Sequence, residues 1–198
     1  MTDALEKIKN FVEGSNDEEL TFVALKPNAT DTIGASIVMD KLTKNGYQVI
    51  LHAPAIYTQK NVRVHYKEIY DGYVADPEGK FKFYPNLEEY LTRGPIYGFI
   101  IAGPNAVKGV KQLCGATKEP AEGTMRYDLA KAYGIEYDKD ENGIHASGEV
   151  TEARREVANF MKAFYSNISY TMAEAELMAE IADKVDEYSQ ISTNETTL

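Results

Sequence analysis

The chain has 198 residues, one cysteine and a net charge of −10, which fits one domain with an extension at either end and excludes an intrachain disulfide framework. The acidic excess lies at the ends, because residues 1–20 carry a net −4 and residues 174–198 a net −6, so the neutral remainder lacks the basic surplus of a broad nucleic-acid surface. No apolar run approaches the roughly 18 residues of a membrane span and residues 1–14 lack a secretory pattern, so we expect a soluble protein of the reducing cytoplasm.

The first half of the chain predicts alternating strands and helices. The stretch TFVALKP (21–27) is typical of a buried strand that Pro27 ends, and 35–45 has helical spacing of apolar residues before Gly46. Residues 47–57 are rich in β-branched and aromatic side chains and predict a second strand. Thr58 is a suitable cap for a helix that continues to Tyr70.

The second half continues the alternation after a turn-rich loop at 71–80. The predicted elements are a short helix at 86–92, a strongly apolar strand at 96–103, a helix at 105–114, a strand at 127–133, and helices at 149–164 and 171–191. In the last helix Leu177, Ile181, Val185 and Tyr188 form one apolar stripe, which covers either the protein's own core or a neighbouring subunit. Strands alternating with helices favour an α/β sandwich with one sheet of about four strands, covered by helices.

Two cationic residues are candidates for an anion site, and each has an ordinary alternative. Lys26 ends an apolar strand, where it either meets an anion or simply reaches solvent. Arg126 lies in GTMRYD (123–128) after a glycine-containing loop, and a guanidinium beside such a loop can hold a phosphate. The alternative, which the residues alone favour, is a surface ion pair between Arg126 and Asp128.

The stretch NGIHASG (142–148) gives His145 small neighbours that leave its ring accessible. Imidazole is largely neutral at pH 7, so one ring nitrogen can act as a nucleophile. The alternative, which the residues alone favour, is a histidine that caps or orders the loop. The stretch GPNAVKGVK (103–111) lacks the spacing and the lysine of a phosphate-binding P-loop. His52, His65 and Cys114 are predicted to pack in the interior or, for the histidines, to face solvent.

Several motifs in the same order resemble those of nucleoside diphosphate kinases. They are TFVALKP, HY (65–66), FYPNLEEYLTRGP (83–95), NAV (105–107), GAT (115–117), GTMRYD and NGIHAS, and the resemblance runs from Thr21 to about Met161. It implies a ferredoxin-like βαββαβ core with a four-stranded, mainly antiparallel sheet. It also implies a tetramer or hexamer that transfers the γ-phosphoryl group between nucleoside tri- and diphosphates by a ping-pong route.

The resemblance also implies a role for each matched residue. His145 would be the nucleophile that is transiently phosphorylated, Glu156 would orient its ring, and Ser147 would support Glu156. The residues expected to hold phosphates and sugar are Lys26, Lys111, Thr117, Arg126 and Asn142. Tyr66 would line the site, and Phe83 with Leu87 would clamp the base by stacking, which suits any base. Magnesium would arrive on the nucleotide phosphates, with no metal cluster on the protein.

The chain departs from the family pattern at several positions. Gly148 replaces the usual aspartate after Ser147, Lys111 replaces an arginine, and Asn28 replaces an aspartate. Lysine keeps the charge but loses the bidentate fork of arginine. The alternative to an active enzyme is therefore a nucleotide-binding scaffold that turns over poorly. We expect the family-like domain at 21–164, between an acidic extension at 1–20 and a helical extension at 165–198.

Overall fold

The computed structural model describes residues 2–15, 18–136, 141–165 and 172–194. Within them four strands form: β1 (Leu20–Leu25), β2 (Gln48–Ala55), β3 (Ile96–Ala102) and β4 (Ile144–Ala146). The helices of the same residues are α1 (Thr2–Glu13), α2 (Thr32–Lys44), α3 (Gln59–His65), α4 (Lys67–Ala75), α5 (Tyr84–Thr92), α6 (Ala106–Cys114), α7 (Met125–Tyr133), α8 (Val150–Tyr165) and α9 (Met172–Asn194).

The four strands form one sheet in the order β2-β3-β1-β4, and every neighbouring pair is antiparallel. Helix α2 connects β1 with β2, and α6 and α7 connect β3 with β4, whereas α3, α4 and α5 are inserted between β2 and β3. The strand order is that of the predicted ferredoxin-like βαββαβ core. The predicted α/β sandwich with a four-stranded sheet is confirmed.

The sheet separates two hydrophobic cores, because successive side chains of a strand point to opposite faces. On β1, Phe22 and Ala24 belong to the core that includes α8, whereas Val23 and Leu25 belong to the core that includes α2 and α7. β1 is buried along its whole length. This explains why its sequence is a continuous apolar run rather than an alternating one.

Small residues allow α8 to pack close to the sheet. In the strand register Ala24 lies opposite both Gly98 of β3 and His145 of β4, and Gly98 lies opposite Ala53 of β2. A Cβ atom added to Gly98 would lie 2.4 Å from Cε2 of Phe160 in α8, so the ring occupies the space above the glycine. This row of small side chains crosses the sheet and ends at His145.

The prediction of a strand at 127–133 is wrong, because these residues belong to α7. The Thr124 side chain accepts a hydrogen bond from the Tyr127 N–H at the start of this helix, and Gly134 ends it in the left-handed conformation. Met125 and Leu129, four residues apart, share its buried face. The cap and this spacing indicate a helix, and the aromatic residues had obscured them.

The fourth strand is instead β4, which has three residues and carries His145. The single helix predicted from Thr58 to Tyr70 is also wrong. It is divided at Tyr66, whose φ of −105° and ψ of 41° interrupt the helical hydrogen bonding between α3 and α4. The predicted Thr58 cap is confirmed, and α4 extends to Ala75, into the segment predicted as a loop.

Helices α1 and α9 pack against each other and against α8. Ile8 and Phe11 of α1 and Ile181 and Val185 of α9 are buried in the same core as Phe160. The apolar stripe of α9 therefore covers the protein's own core, the first of the two predicted possibilities. Among the described residues, none of the helices combines the length and the hydropathy needed to cross a bilayer.

Replacing Gly98 by alanine is expected to destabilise the fold by about 1–3 kcal/mol, because the added methyl group overlaps the Phe160 ring in a packed core. Urea unfolding measures the change. Gly94→Ala is the matched control, since a Cβ at Gly94 would lie at an ordinary 3.4 Å from Pro27, and its effect should stay within about 0.5 kcal/mol. Equal stability of the two variants would contradict the packing described for α8.

Candidate active site

A cavity of about 550 Å³ brings together residues that are far apart in the sequence. Of the eleven side chains predicted for the site, ten line it: Lys26, Tyr66, Phe83, Leu87, Lys111, Thr117, Arg126, Asn142, His145 and Glu156. The eleventh, Ser147, is fully buried behind the wall and contacts Glu156. The prediction therefore selected residues that the fold gathers at one place.

The sheet register determines which helix His145 faces. Residues directly opposite each other in an antiparallel pair project to the same side of the sheet. His145 pairs with Ala24, whose side chain lies in the core shared with α8. Glu156 lies on the buried side of α8, with Ala153 and Phe160 one turn before and after it. The carboxylate consequently meets the imidazole across the end of the sheet.

Glu156 binds one nitrogen of His145 and leaves the other for a reaction. Its Oε2 lies 2.9 Å from Nε2 of His145 and accepts a 2.6 Å hydrogen bond from the Ser147 hydroxyl. Because a carboxylate only accepts hydrogen bonds, we assign the imidazole proton to Nε2. Nδ1 then carries the free lone pair, and the ring lines the cavity.

The surroundings keep His145 neutral. Burial lowers the pKa of His145 well below 6.5, and the positive charges of Lys111, Lys26 and Arg126 lower it further. Burial raises the pKa of Glu156, whereas the contacts with His65 and Ser147 oppose that rise. A neutral imidazole with a free Nδ1 is the form that can attack an electrophile.

Lys26 does not reach solvent, because only 4% of it is exposed. Its Nζ donates a 3.0 Å hydrogen bond to Oδ1 of Asn142, and its backbone N–H donates to the carbonyl of Gly143. Gly143 has φ +75°, a left-handed conformation that favours glycine. The hydrogen bond to the turn at Gly143 holds the end of β1 beside the segment that enters β4, and so keeps the ammonium group of Lys26 in the cavity wall.

Arg126 is buried, and the predicted surface pair with Asp128 is wrong because Asp128 pairs with Lys41 at 2.9 Å. The guanidinium donates to the carbonyls of Ile144 at 2.9 Å and Asn142 at 3.3 Å. These bonds direct the positive group towards the backbone on either side of Gly143. Its position at the start of α7 follows from the Thr124 cap described above.

The remaining predicted residues line other parts of the wall. Lys111 of α6 donates from Nζ to the carbonyl of Ala146, and Thr117 lies exposed in the loop that follows α6. Phe83 immediately precedes α5 and is half-buried, while Leu87 one turn later is buried. The cavity lining thus includes an aromatic and an aliphatic side chain from the α5 region beside its cationic residues.

Eight further residues line the cavity and escaped the sequence prediction, among them His65, Arg155 and Glu68. His65 is 2% exposed, and its ring contacts that of His145 with centroids 4.6 Å apart. Arg155 lines the cavity and forms a bidentate pair with Glu68, with distances of 2.6 and 2.7 Å. The pair is separated by 87 residues, so no local pattern reveals it. His65, predicted to pack or to face solvent, does pack, but against the candidate nucleophile.

The described residues contain one group with metal-ligand spacing, formed by His65, His145 and Glu156, whose donor atoms lie within 4.8 Å of one another. Two nitrogens and one oxygen suit zinc better than magnesium, which prefers oxygen ligands and commonly binds through substrate phosphates. The cationic side chains in the cavity wall, Lys26, Lys111 and Arg126, instead suit an anionic ligand such as a phosphate.

Comparison with known proteins gives a consistent result. The family model described as nucleoside diphosphate kinase matches residues 19–166. Nucleoside diphosphate kinase of Methanocorpusculum labreanum is 31% identical over 163 residues, which is 80% of this chain and 98% of that protein. The enzyme of the same name from Campylobacter fetus is 33% identical over 144 residues, covering 72% of this chain and 94% of that protein.

Solved structures are similar in fold. The apo crystal structure of nucleoside diphosphate kinase from Encephalitozoon cuniculi superposes with a TM-score of 0.60 at 23% identity, covering 79% of this chain and 98% of that one. Aquifex aeolicus nucleoside diphosphate kinase gives a TM-score of 0.58 at 24% identity, covering 72% of this chain and 94% of that one. At these identities the likeness concerns the fold alone.

Acidification is expected to destabilise the protein through His65. Burial lowers the pKa of His65 to about 3 in the folded state, against 6.5 for an exposed imidazole. The unfolded chain therefore binds the extra proton, and the stability present above pH 6.5 is lost as the pH falls towards 3. Protonation of His65 in the unfolded chain should lower the free energy of unfolding by up to about 1.4 kcal/mol for each pH unit of acidification.

Urea unfolding between pH 7 and pH 4 measures this slope. His65→Gln, which cannot be protonated, should lose stability less steeply than the parent. Parallel slopes for the two proteins would contradict a neutral, buried His65.

Proposed function

The chain belongs to the nucleoside diphosphate kinase family, and on that basis we propose a two-step transfer of the γ-phosphoryl group through a phosphohistidine at Nδ1 of His145. Family membership makes the protein an enzyme of nucleotide phosphoryl transfer, and the proposal adds the route and the residues. The observation that carries it is the 2.9 Å contact of Nε2 with Glu156, which leaves Nδ1 as the free nucleophile in the cavity.

The first step forms a bond between Nδ1 of His145 and the γ-phosphorus of a nucleoside triphosphate. The bond from that phosphorus to the β–γ bridging oxygen breaks, and the diphosphate leaves with the electron pair. The imidazole becomes positively charged as the N–P bond forms, and the Glu156 carboxylate stabilises that charge through Nε2–H. A second nucleoside diphosphate then attacks the phosphorus through a terminal oxygen of its β-phosphate and releases neutral His145.

Phosphoryl transfer depends mainly on positioning and on electrostatic stabilisation of the charge spread over the phosphate oxygens. Lys26 and Arg126 are supported in this role because both are buried in the cavity wall near His145. We assign Lys26 to the transferred group, Lys111, Arg126 and Thr117 to the other phosphates, and Asn142 to the sugar and phosphate region. Tyr66 closes the wall beside the nucleophile, with its ring centroid 5.4 Å from that of His145.

The base is proposed to lie between Phe83 and Leu87. Both line the cavity, and stacking reads the face of a base rather than its hydrogen-bonding edge. Such a clamp suits an enzyme that accepts every nucleoside diphosphate.

Magnesium is proposed to enter and leave with the nucleotide, held by its phosphates. When bound there, the ion neutralises part of the phosphate charge. The protein's share is to hold the same phosphates with Lys26, Lys111 and Arg126.

The alternative, a scaffold that binds nucleotide without turnover, is not favoured. It rests on the departures at Lys111 and Gly148, but the ammonium of Lys111 still lies in the cavity wall. The contacts among His145, Glu156 and Ser147 serve an orienting purpose that binding alone does not require.

Assembly and cellular location also remain proposals. We propose a homo-oligomer, a tetramer or hexamer, on the strength of the family resemblance and of the edge position of β2 in the sheet. A cytoplasmic location is supported by the single cysteine, Cys114, which is buried and unpaired. The division into an extension at 1–20, a family-like domain at 21–164 and an extension at 165–198 is proposed on the same resemblance.

The intact mass of the protein should increase by one phosphoryl group after brief exposure to ATP and magnesium, and return to its original value on addition of GDP as GTP appears. His145→Gln should remain unphosphorylated while keeping a cooperative unfolding transition, because it lacks the nucleophilic ring nitrogen. His52→Gln, on the exposed side of β2, should behave like the parent. Phosphorylation of the His145 variant would exclude the assigned nucleophile, and ATP binding without phosphorylation of the parent would favour the scaffold.

Phe83→Ala is expected to weaken binding of ATP, GTP, CTP and UTP by similar factors, roughly 5- to 100-fold, because stacking contributes about 1–3 kcal/mol whichever base is present. Isothermal titration of each nucleotide with the His145→Gln variant and its double mutant measures the loss without turnover. Phe81→Ala is the matched control, since Phe81 is a nearby aromatic residue outside the cavity lining. A loss confined to one base would contradict the clamp.

A further inference from the structure

The carboxylate of Glu156 has two oxygens with different surroundings. Oε2 receives His145 Nε2 and the Ser147 hydroxyl, whereas Oε1 faces His65 Nε2 at 3.7 Å. Glu156 as a whole is only 2% exposed, and it lines the cavity. A carboxylate oxygen has acceptor capacity to spare, and the ring nitrogen of His65 faces this one.

The tautomer of His65 directs an N–H towards Glu156. The hydroxyl of Tyr57 lies 3.4 Å from Nδ1 of His65, and we assign the hydroxyl as the donor of this contact, which makes Nδ1 the acceptor. The proton of the neutral ring is then on Nε2, the nitrogen that faces Oε1. A distance of 3.7 Å exceeds a hydrogen bond by about half an ångström, and contacts of this kind tighten when the reacting complex forms.

The His65 ring also limits the orientation of His145. The two rings meet edge to face with an interplanar angle of 68°, and the Tyr66 ring lies at 72° to His145 on the neighbouring side. Consecutive residues of a regular helix point about 100° apart, so an uninterrupted helix would not direct both rings at one target. The break between α3 and α4 at Tyr66 allows it.

We infer that His65 is a positioning residue, which donates from Nε2 to Oε1 of Glu156 during transfer and so keeps Oε2 on Nε2 of His145. The inference rests on the proposed phosphohistidine route. A neutral donor suits this task, because a cationic His65 would form a full ion pair with Glu156 and compete with the positive charge that develops on His145. Burial, which lowers the pKa of His65 to about 3, keeps the ring neutral.

Two amide substitutions test the N–H donor of His65 independently of the shape of its ring. His65→Gln can place its amide nitrogen where Nε2 lies, whereas the shorter side chain of His65→Asn reaches only the position of Nδ1. Rapid-quench measurement of phosphohistidine formation at saturating ATP and magnesium should show the Asn variant slowed roughly 10- to 100-fold, as for a lost hydrogen bond to a charged group. The Gln variant should recover most of that rate, and ATP affinity should stay within about threefold in both.

A third variant, His65→Phe, fills the ring volume without an N–H and should be as slow as the Asn variant. It provides the answer if the Asn variant melts below the assay temperature. His52→Asn controls for loss of a histidine elsewhere, since His52 contacts Tyr97 on the other side of the sheet.

The outcomes distinguish this inference from the proposed function. Equal rates for the Gln, Asn and Phe variants, whether parental or slow, would overturn the positioning role, because a packing role does not depend on the N–H. A parent protein that forms no phosphohistidine would instead refute the proposed route.

Discussion

The candidate site depends on the close approach of α8 to the centre of the sheet. Gly98 has no side chain, and the Phe160 ring of α8 occupies the space above it. Ala24 continues the row of small residues from Gly98 to His145 at the end of the sheet. With bulkier residues in this row the helix would lie further out, and Glu156 would not reach the imidazole at 2.9 Å.

That geometry concentrates polar groups where the fold would otherwise be apolar. His65 and Ser147 both lie against the Glu156 carboxylate. Each of the three residues is at most 2% exposed. The resulting pKa shifts have a functional sense, because His145 is kept unprotonated while its partner carboxylate lies within hydrogen-bonding distance. The lowered pKa values of His145 and His65 also reduce the stability of the folded protein at low pH, whereas the raised pKa of Glu156 acts in the opposite direction. Stability and chemistry are thus set by the same few contacts.

Sequence patterns predicted the fold class and gathered most of the candidate site, because several motifs occur in one order and each local period is clear. These patterns failed where the position of a residue depends on contacts with residues far away in the sequence. β4 has three residues, too few for a period of two to be recognised, and its partner Ala24 lies about 120 residues earlier. The role of Arg126 depends on carbonyls brought near by Gly143. The contact of His65 with Glu156 lies beside the helix break at Tyr66, which the continuous helical pattern of the sequence did not reveal.

The terminal helices bear on how separable the parts of this chain are. α1 and α9 bury Ile8 and Ile181 in the same hydrophobic cluster as Phe160, the residue that sets the distance between α8 and the sheet. The family match at residues 19–166 contains neither helix. The segment that matches the family is therefore shorter than the part of the chain that packs into one hydrophobic core. Helices α1 and α9 are therefore part of the packed core, and changes in either helix reach Glu156, which lies 2.9 Å from His145, through α8.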